Sequence, residues 1–256
     1  MDKQTISRIN QPFSLLSSLL LLLLSPALFA ANNISLPVNH QAHYEIEKYG
    51  SQIGEIHNQL SRTAQQITYH STTRAKGFAA LFVSDDLQET SILGRPFAAS
   101  ADTLRQQSFR AERDHKDEKN QQIEFNWLAP EQAEINTVYK HQQLQQQASQ
   151  VIWGRHMLPL LMSADLLENP QITQNQYLIA DKGRLHQYSY TLLKTENIKL
   201  DGKTHSTLKF KLWREDSTRV TYLWLSSEHY YLPLKIEQYK RDELHLRLLL
   251  SRFTTA

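Results

Sequence analysis

The chain has 256 residues, of which 40% are hydrophobic and 21% charged, with a formal net charge of +2 and no cysteine. The near-neutral balance excludes a nucleic acid or an anionic membrane held mainly by charge, and the missing cysteine excludes disulfide staples and a lipid carried on a cysteine. A chain of this length buries on the order of 70% of its surface on folding, so its core does not need such staples.

Residues 1–30 have the layout of a secretory signal peptide. Lys3 and Arg8 form a short basic lead, an unbroken apolar run extends from Leu19 to Leu24, and Ser25 to Ala30 follow with small residues. The run is shorter than the roughly 20 residues that cross a bilayer, and no later segment approaches that length. Cleavage is expected near Ala30, with a cut after Ala27 as the competing site. The expected product is one β-rich domain over 31–256, exported to the periplasm, with no membrane span.

Residues 31–41 are polar, contain Pro37 and read as a lead-in. From Tyr44 to Tyr49 polar and apolar residues alternate. Gly50-Ser51 then turns the chain and Ile53 to Ile56 begins the return, which predicts a β-hairpin. Phe78 to Val83 is apolar at nearly every position and fits a buried strand or a short helix. Further extended runs are Gln66 to Thr73, Leu104 to Glu112, Gln122 to Leu128 and Glu134 to Lys140. His141 to Gln150 is rich in glutamine and reads as a polar connection.

From Ala148 to Leu167 the period changes. Val151, Ile152, Met157, Leu158, Leu161, Met162, Leu166 and Leu167 recur at helical spacing, with Pro159 marking a kink or a break. Alternation returns in the last third: Leu208, Phe210 and Leu212 share one face, Val220, Tyr222 and Trp224 another, and Leu244 to Leu250 a third. Asp201-Gly202, Glu215-Asp216-Ser217 and Lys240-Arg241-Asp242 supply the turns. The predicted fold is therefore mainly β: a curved antiparallel sheet or partly open barrel-like meander, with one packed helical segment at about 148–167.

Little in the sequence points to catalysis. There is no Gly-x-Ser-x-Gly elbow, and the seven glycines are not clustered into a phosphate loop. Of eleven histidines only His40 and His43 are close together, while His156, His186, His205 and His245 are singletons read as surface residues. No catalytic residue, cofactor or metal site is expected. The adjacent carboxylates Asp85 and Asp86 read as a solvated turn.

Several short segments in order carry a resemblance. They are Tyr44-Glu45-Ile46 through Gly50 and Gly54-Glu55, Gly77 to Asp85, Ala180 to Leu185, and Trp224-Leu225 with Tyr231 to Ile236. Together they resemble the bacterial domain-of-unknown-function 3108 family. The resemblance implies an exported protein and transfers no catalytic residue. One departure is Ser149-Gln150-Val151, where the family usually places an acid ahead of the mid-chain apolar helix. The overall pattern is also similar in outline to periplasmic lipoprotein carriers, in which a curved sheet closes over helices.

The expected function is thus non-enzymatic binding of an apolar or amphipathic ligand, such as a lipid, or of an envelope partner. The candidate cavity-lining residues are Phe78, Phe82, Val151, Met157, Leu161, Met162 and Trp224. The alternatives are an envelope hydrolase built from scattered residues and an assembly factor acting through an exposed strand edge.

Overall fold

A computed structural model of the chain describes residues 34–77, 80, 86–97 and 103–255. The expected signal peptide, Phe78, Phe82 and most of the apolar run between them lie outside the described residues.

Eight strands run up and down in chain order: β1 (His40–Lys48), β2 (Ser51–Arg62), β3 (Ile67–Ala75), β4 (Leu87–Gly94), β5 (Arg105–Arg113), β6 (Gln121–Ala129), β7 (Gln132–Tyr139) and β8 (Gln142–Ala148). A short strand, β9 (Ile152–Gly154), leads through one 3₁₀ turn (Arg155–Met157) into the helix α1 (Leu158–Glu168). Six more strands follow: β10 (Gln174–Asp181), β11 (Arg184–Leu200), β12 (Lys203–Trp213), β13 (Arg219–Ser226), β14 (Leu232–Lys240) and β15 (Glu243–Thr255).

All fifteen belong to one sheet. Its order runs from β8 back to β1, across to β15 and down to β9, so β1 pairs with β15 and the two edges are β8 and β9. The result is a nearly closed, barrel-like meander. Bulges such as those at His43/Tyr44, Leu192/Lys194 and Trp224/Leu225 break the register and add local bend and twist. Tight turns reverse the chain at Tyr49-Gly50, Lys182-Gly183 and Asp201-Gly202, where both central residues have positive φ. That sign matches the twist of the flanking strands.

Among the described residues the only parallel pairing is β9 with β10. Parallel neighbours need a long crossover, and α1 with its flanking turns supplies it. This arrangement corrects the N-terminal limit of the helical segment expected at 148–167. Ala148 ends β8, and Ile152 and Trp153 pair with Leu178 and Ile179, so helical structure begins only at Arg155. Both residues are buried, and a strand buried on both faces carries apolar side chains at successive positions, which can mimic a helical period. Pro159 does not break the helix. It lies in the first turn, where a backbone N–H has no intrahelical partner.

The glutamine-rich stretch is also corrected: Gln142–Ala148 is a strand paired with β7. Backbone pairing does not require apolar side chains, and an exposed edge strand needs them least.

The core sits inside the barrel around α1. Leu158, Leu160, Leu161, Met162, Ala164 and Leu166 are all buried, so the helix is enclosed on most of its surface rather than laid by one face on a sheet. Side chains from both halves of the sheet close around it, including Leu60, Tyr69, Leu93, Tyr190, Phe210 and Leu225. A second cluster, around Phe109, Ile123, Phe125 and Ile135, packs the β5–β8 part of the sheet against Ile152 and Ala180.

Candidate functional site

Two polar arrangements hold α1, one at each end, and the second opens onto a cleft. The first lies at the start of the helix. His156, read from sequence as a surface singleton, is buried at 7% exposure. Its Nε2 lies 2.7 Å from the Ser71 hydroxyl and its Nδ1 3.0 Å from the Ser91 hydroxyl. Its ring stacks on Tyr69 with centroids 4.4 Å apart. Burial pushes the imidazole pKa down to about 4, so the ring is neutral at pH 7.

Gln106 extends this network. Its amide nitrogen donates to Ser91 (3.0 Å), its side-chain oxygen accepts from the Gly154 N–H (2.6 Å), and its backbone oxygen accepts from Trp127 Nε1 (2.7 Å). A Cβ at Gly154 would lie 3.1 Å from the Gln106 side chain, so glycine permits the close approach. β9 is thus fastened to β5 through a side chain instead of a backbone ladder.

Ser71 and His156 resemble a nucleophile and base by distance. However, the Nδ1 partner is a hydroxyl, and all three side chains are enclosed. The geometry is that of a structural anchor.

The second arrangement is at the far end of α1. One oxygen of Asp165 accepts hydrogen bonds from the hydroxyls of Tyr177 and of Tyr190 (2.6 Å) and from the Asn175 amide (2.8 Å). Burial and the neighbouring carboxylate push both tyrosine pKa values well above the usual range, so the hydroxyls stay protonated as donors.

Asp165 and Tyr177 lie on the wall of a cleft of about 350 Å³. Its apolar side is formed by Ile34, Val151, Trp153, Leu161, Ala164 and Ile172, and its polar side includes Arg105, Glu168 and Asn175. Ile34 is brought there by the lead-in, which Arg62 holds with hydrogen bonds to the Leu36 oxygen (3.1 Å), the Pro37 oxygen and the Asn39 side chain (2.9 Å).

Arg105 is the unusual member of this wall. It is only 3% exposed, yet among the described residues no carboxylate lies within ion-pair distance. Two of its five N–H groups donate to backbone oxygens, Nε to Pro130 and Nη1 to Leu104, each at 2.9 Å, and the guanidinium stands 5.5 Å from the Trp127 ring. Arginine keeps its charge even when buried. The cleft therefore combines an apolar wall with a cation whose hydrogen bonds, among the described residues, go to neutral groups.

The candidate lining residues separate into groups. Val151 and Leu161 line this cleft. Met157 and Met162 are fully buried in the core around α1. Trp224 lies on the opposite face of β13 from the core residues Leu223 and Leu225. There its indole donates to Glu196 (2.5 Å), with the ammonium groups of Lys235 and Lys209 3.6 and 4.5 Å from the ring centre. Sequence reasoning missed Arg105, Asp165 and Tyr177. An arginine opening a strand and an acid set between apolar residues of the helix were the available signals.

In fold, the chain is similar to a β-barrel-like protein of domain of unknown function DUF1849 from Brucella abortus. The two share 12% identity over 86% of this chain and 98% of that one, with a TM-score of 0.54. Weaker likenesses are to MucB (10% identity, 88% of this chain and 56% of that one, TM-score 0.36) and to a Bacteroides fragilis protein described as exported, with a YmcC-like fold (8% identity, 86% and 97%, TM-score 0.31). At these identities the likeness concerns the fold alone. Among curated proteins none matches the chain in sequence. The family model described as "Protein of unknown function (DUF3108)" matches residues 40–242, and the chain therefore belongs to the DUF3108 family.

Proposed function

We propose that the protein is an exported periplasmic binding protein whose cleft beside α1 takes an amphipathic ligand: an acyl chain or a comparably slender apolar group ending in an acidic head. The observation that carries this reading is Arg105. A buried cation is costly unless paired, and among the described residues no carboxylate comes within ion-pair distance of this one, Glu131 acting on it only from farther away. An acidic head group would supply the missing charge, while Val151, Trp153, Leu161 and Ile172 would shield the chain from water. A volume of about 350 Å³ lies at the small end of the range for ligand sites, which starts near 300 Å³.

Native mass spectrometry and lipid extraction of protein purified from the periplasm test this directly. Trp153 lies in the wall and reports occupancy by fluorescence. Dodecanoate is expected to bind more tightly than dodecanol, and Val151→Trp, which fills the cleft from a partly buried position, is expected to abolish binding while leaving the melting temperature close to that of the parent. If no amphiphile is recovered and neither probe binds, the reading fails.

A further inference from the structure

On another part of the barrel, three side chains distant in sequence come together. His205 stands on β12, and Glu228 and His229 on the 3₁₀ turn Ser227–His229 that follows β13. Each offers a donor atom, and the three donor atoms lie within 4.8 Å of one another. His205 Nδ1 is 3.1 Å from Glu228 Oε2, a spacing close to the edge of a tetrahedron of ligands around a zinc ion with bonds of about 2.0–2.2 Å. The two imidazole rings are 5.8 Å apart, centre to centre, at 67°.

The site is held by its surroundings. The His229 ring packs edge-on against Phe253 at 5.3 Å, and Tyr230 and Tyr231, both with positive φ, turn the chain immediately after it. Backbone hydrogen bonds from Tyr230 to the Ser227 oxygen (3.3 Å) and from Tyr231 to the Ser226 oxygen (2.8 Å) close the turn. Moreover, among the described residues His229 Nδ1 is buried without a hydrogen-bond partner, so the ring carries an unsatisfied nitrogen, and a metal bond at that atom would remove the cost. The Glu228 carboxylate is 60% exposed, which leaves the site open to water on that side.

We infer that His205, Glu228 and His229 form a binding site for a divalent transition-metal ion, with zinc the best match, in which solvent completes the coordination. Two imidazoles and one carboxylate suit zinc, copper or nickel and disfavour magnesium and calcium, which prefer oxygen ligands throughout. The inference is independent of the cleft and of what it binds.

The test uses full-length exported protein without a polyhistidine tag, stripped with chelator and titrated with Co²⁺ and then Zn²⁺. One equivalent of Co²⁺ is expected to give the visible absorption of a four-coordinate site, which Zn²⁺ displaces. Glu228→Gln and His205→Gln are each expected to weaken binding by at least about 10-fold, the lower end of the loss seen for residues that merely support a ligand. His57→Gln, which removes one ring of the His43–His57 pair, whose centroids are 4.0 Å apart at 42°, is expected to leave binding unchanged. Glu228 is too exposed for its substitution to unfold the protein, so that variant reports on the metal alone. A parent protein with no Co²⁺ band, or binding that survives both site substitutions, overturns the inference.

Discussion

Tyr190, in the middle of β11, donates its hydroxyl across 2.6 Å to Asp165 on α1, and so ties the enclosed helix to the barrel wall beside the cleft that Asp165 lines. Tyr177 and Asn175 on β10 converge on the same carboxylate oxygen. A single acid therefore satisfies three donors from two strands, and its removal would strand them together.

Asp165→Ala is accordingly expected to destabilise the protein by about 3 kcal/mol, the scale of losing hydrogen bonds to a charged group and leaving buried hydroxyls unpaired. Asp165→Asn, which keeps one acceptor oxygen, should cost less. Urea denaturation monitored by tryptophan fluorescence distinguishes the two. Unchanged stability in Asp165→Ala would mean that packing alone seats the helix.

His156 predicts a specific pH dependence. Its pKa is about 4 when folded and near the ordinary 6.5 when unfolded, so between these values the unfolded chain binds more protons and stability rises with pH. The contribution is complete above pH 6.5, is lost as pH falls towards 4, and is on the order of 3 kcal/mol in total. Melting temperatures between pH 7.5 and 5 should fall less steeply in His156→Gln than in the parent. Parallel slopes would show that the buried imidazole is not the titrating group.

Gly183→Ala should destabilise the Lys182-Gly183 turn between β10 and β11. Gly183 has φ +71°, and an added Cβ would lie 2.1 Å from Leu144 Cδ1 on edge strand β8. Left-handed backbone costs an alanine about 1 kcal/mol, and Leu144 must also move. Thermal melting checks the total. Gly202→Ala provides the comparison, because it has a similar φ of +75° but open space around the new methyl. The excess loss at Gly183 measures the contact with Leu144.

Export can be checked at the N-terminus. Sequencing of protein recovered from the periplasm is expected to begin near Ala31, given the basic lead, the short apolar run and the small residues before that point. An intact Met1 in the inner-membrane fraction would contradict the cleaved, periplasmic assignment.

The local pattern of the chain determined its fold class. Leu208, Phe210 and Leu212 face the core because side chains alternate across a strand, and Asp201-Gly202 reverses the chain because left-handed backbone fits a hairpin. The family resemblance rested on short segments of this kind, spread in order along the chain. Where pairing depends on backbone rather than on side chains, as in β8, the same pattern was silent.

Which face of a strand meets the core, and which distant residues meet each other, were decided only by the closed sheet. In β13 alternation pointed to Val220, Tyr222 and Trp224 as the dry face, but Tyr222 to Leu225 are apolar at four successive positions, and it is Leu223 and Leu225 that turn inward while Trp224 lies beneath Lys209 and Lys235. His156 is buried because Ser71 and Ser91 meet it from two other strands. Arg105, Asp165 and the group of His205, Glu228 and His229 gain their surroundings in the same way. Alternation is a property of neighbouring residues, whereas burial, pairing of charges and convergence of ligands are properties of contacts across the barrel, and those exist only once the sheet has curled around its helix.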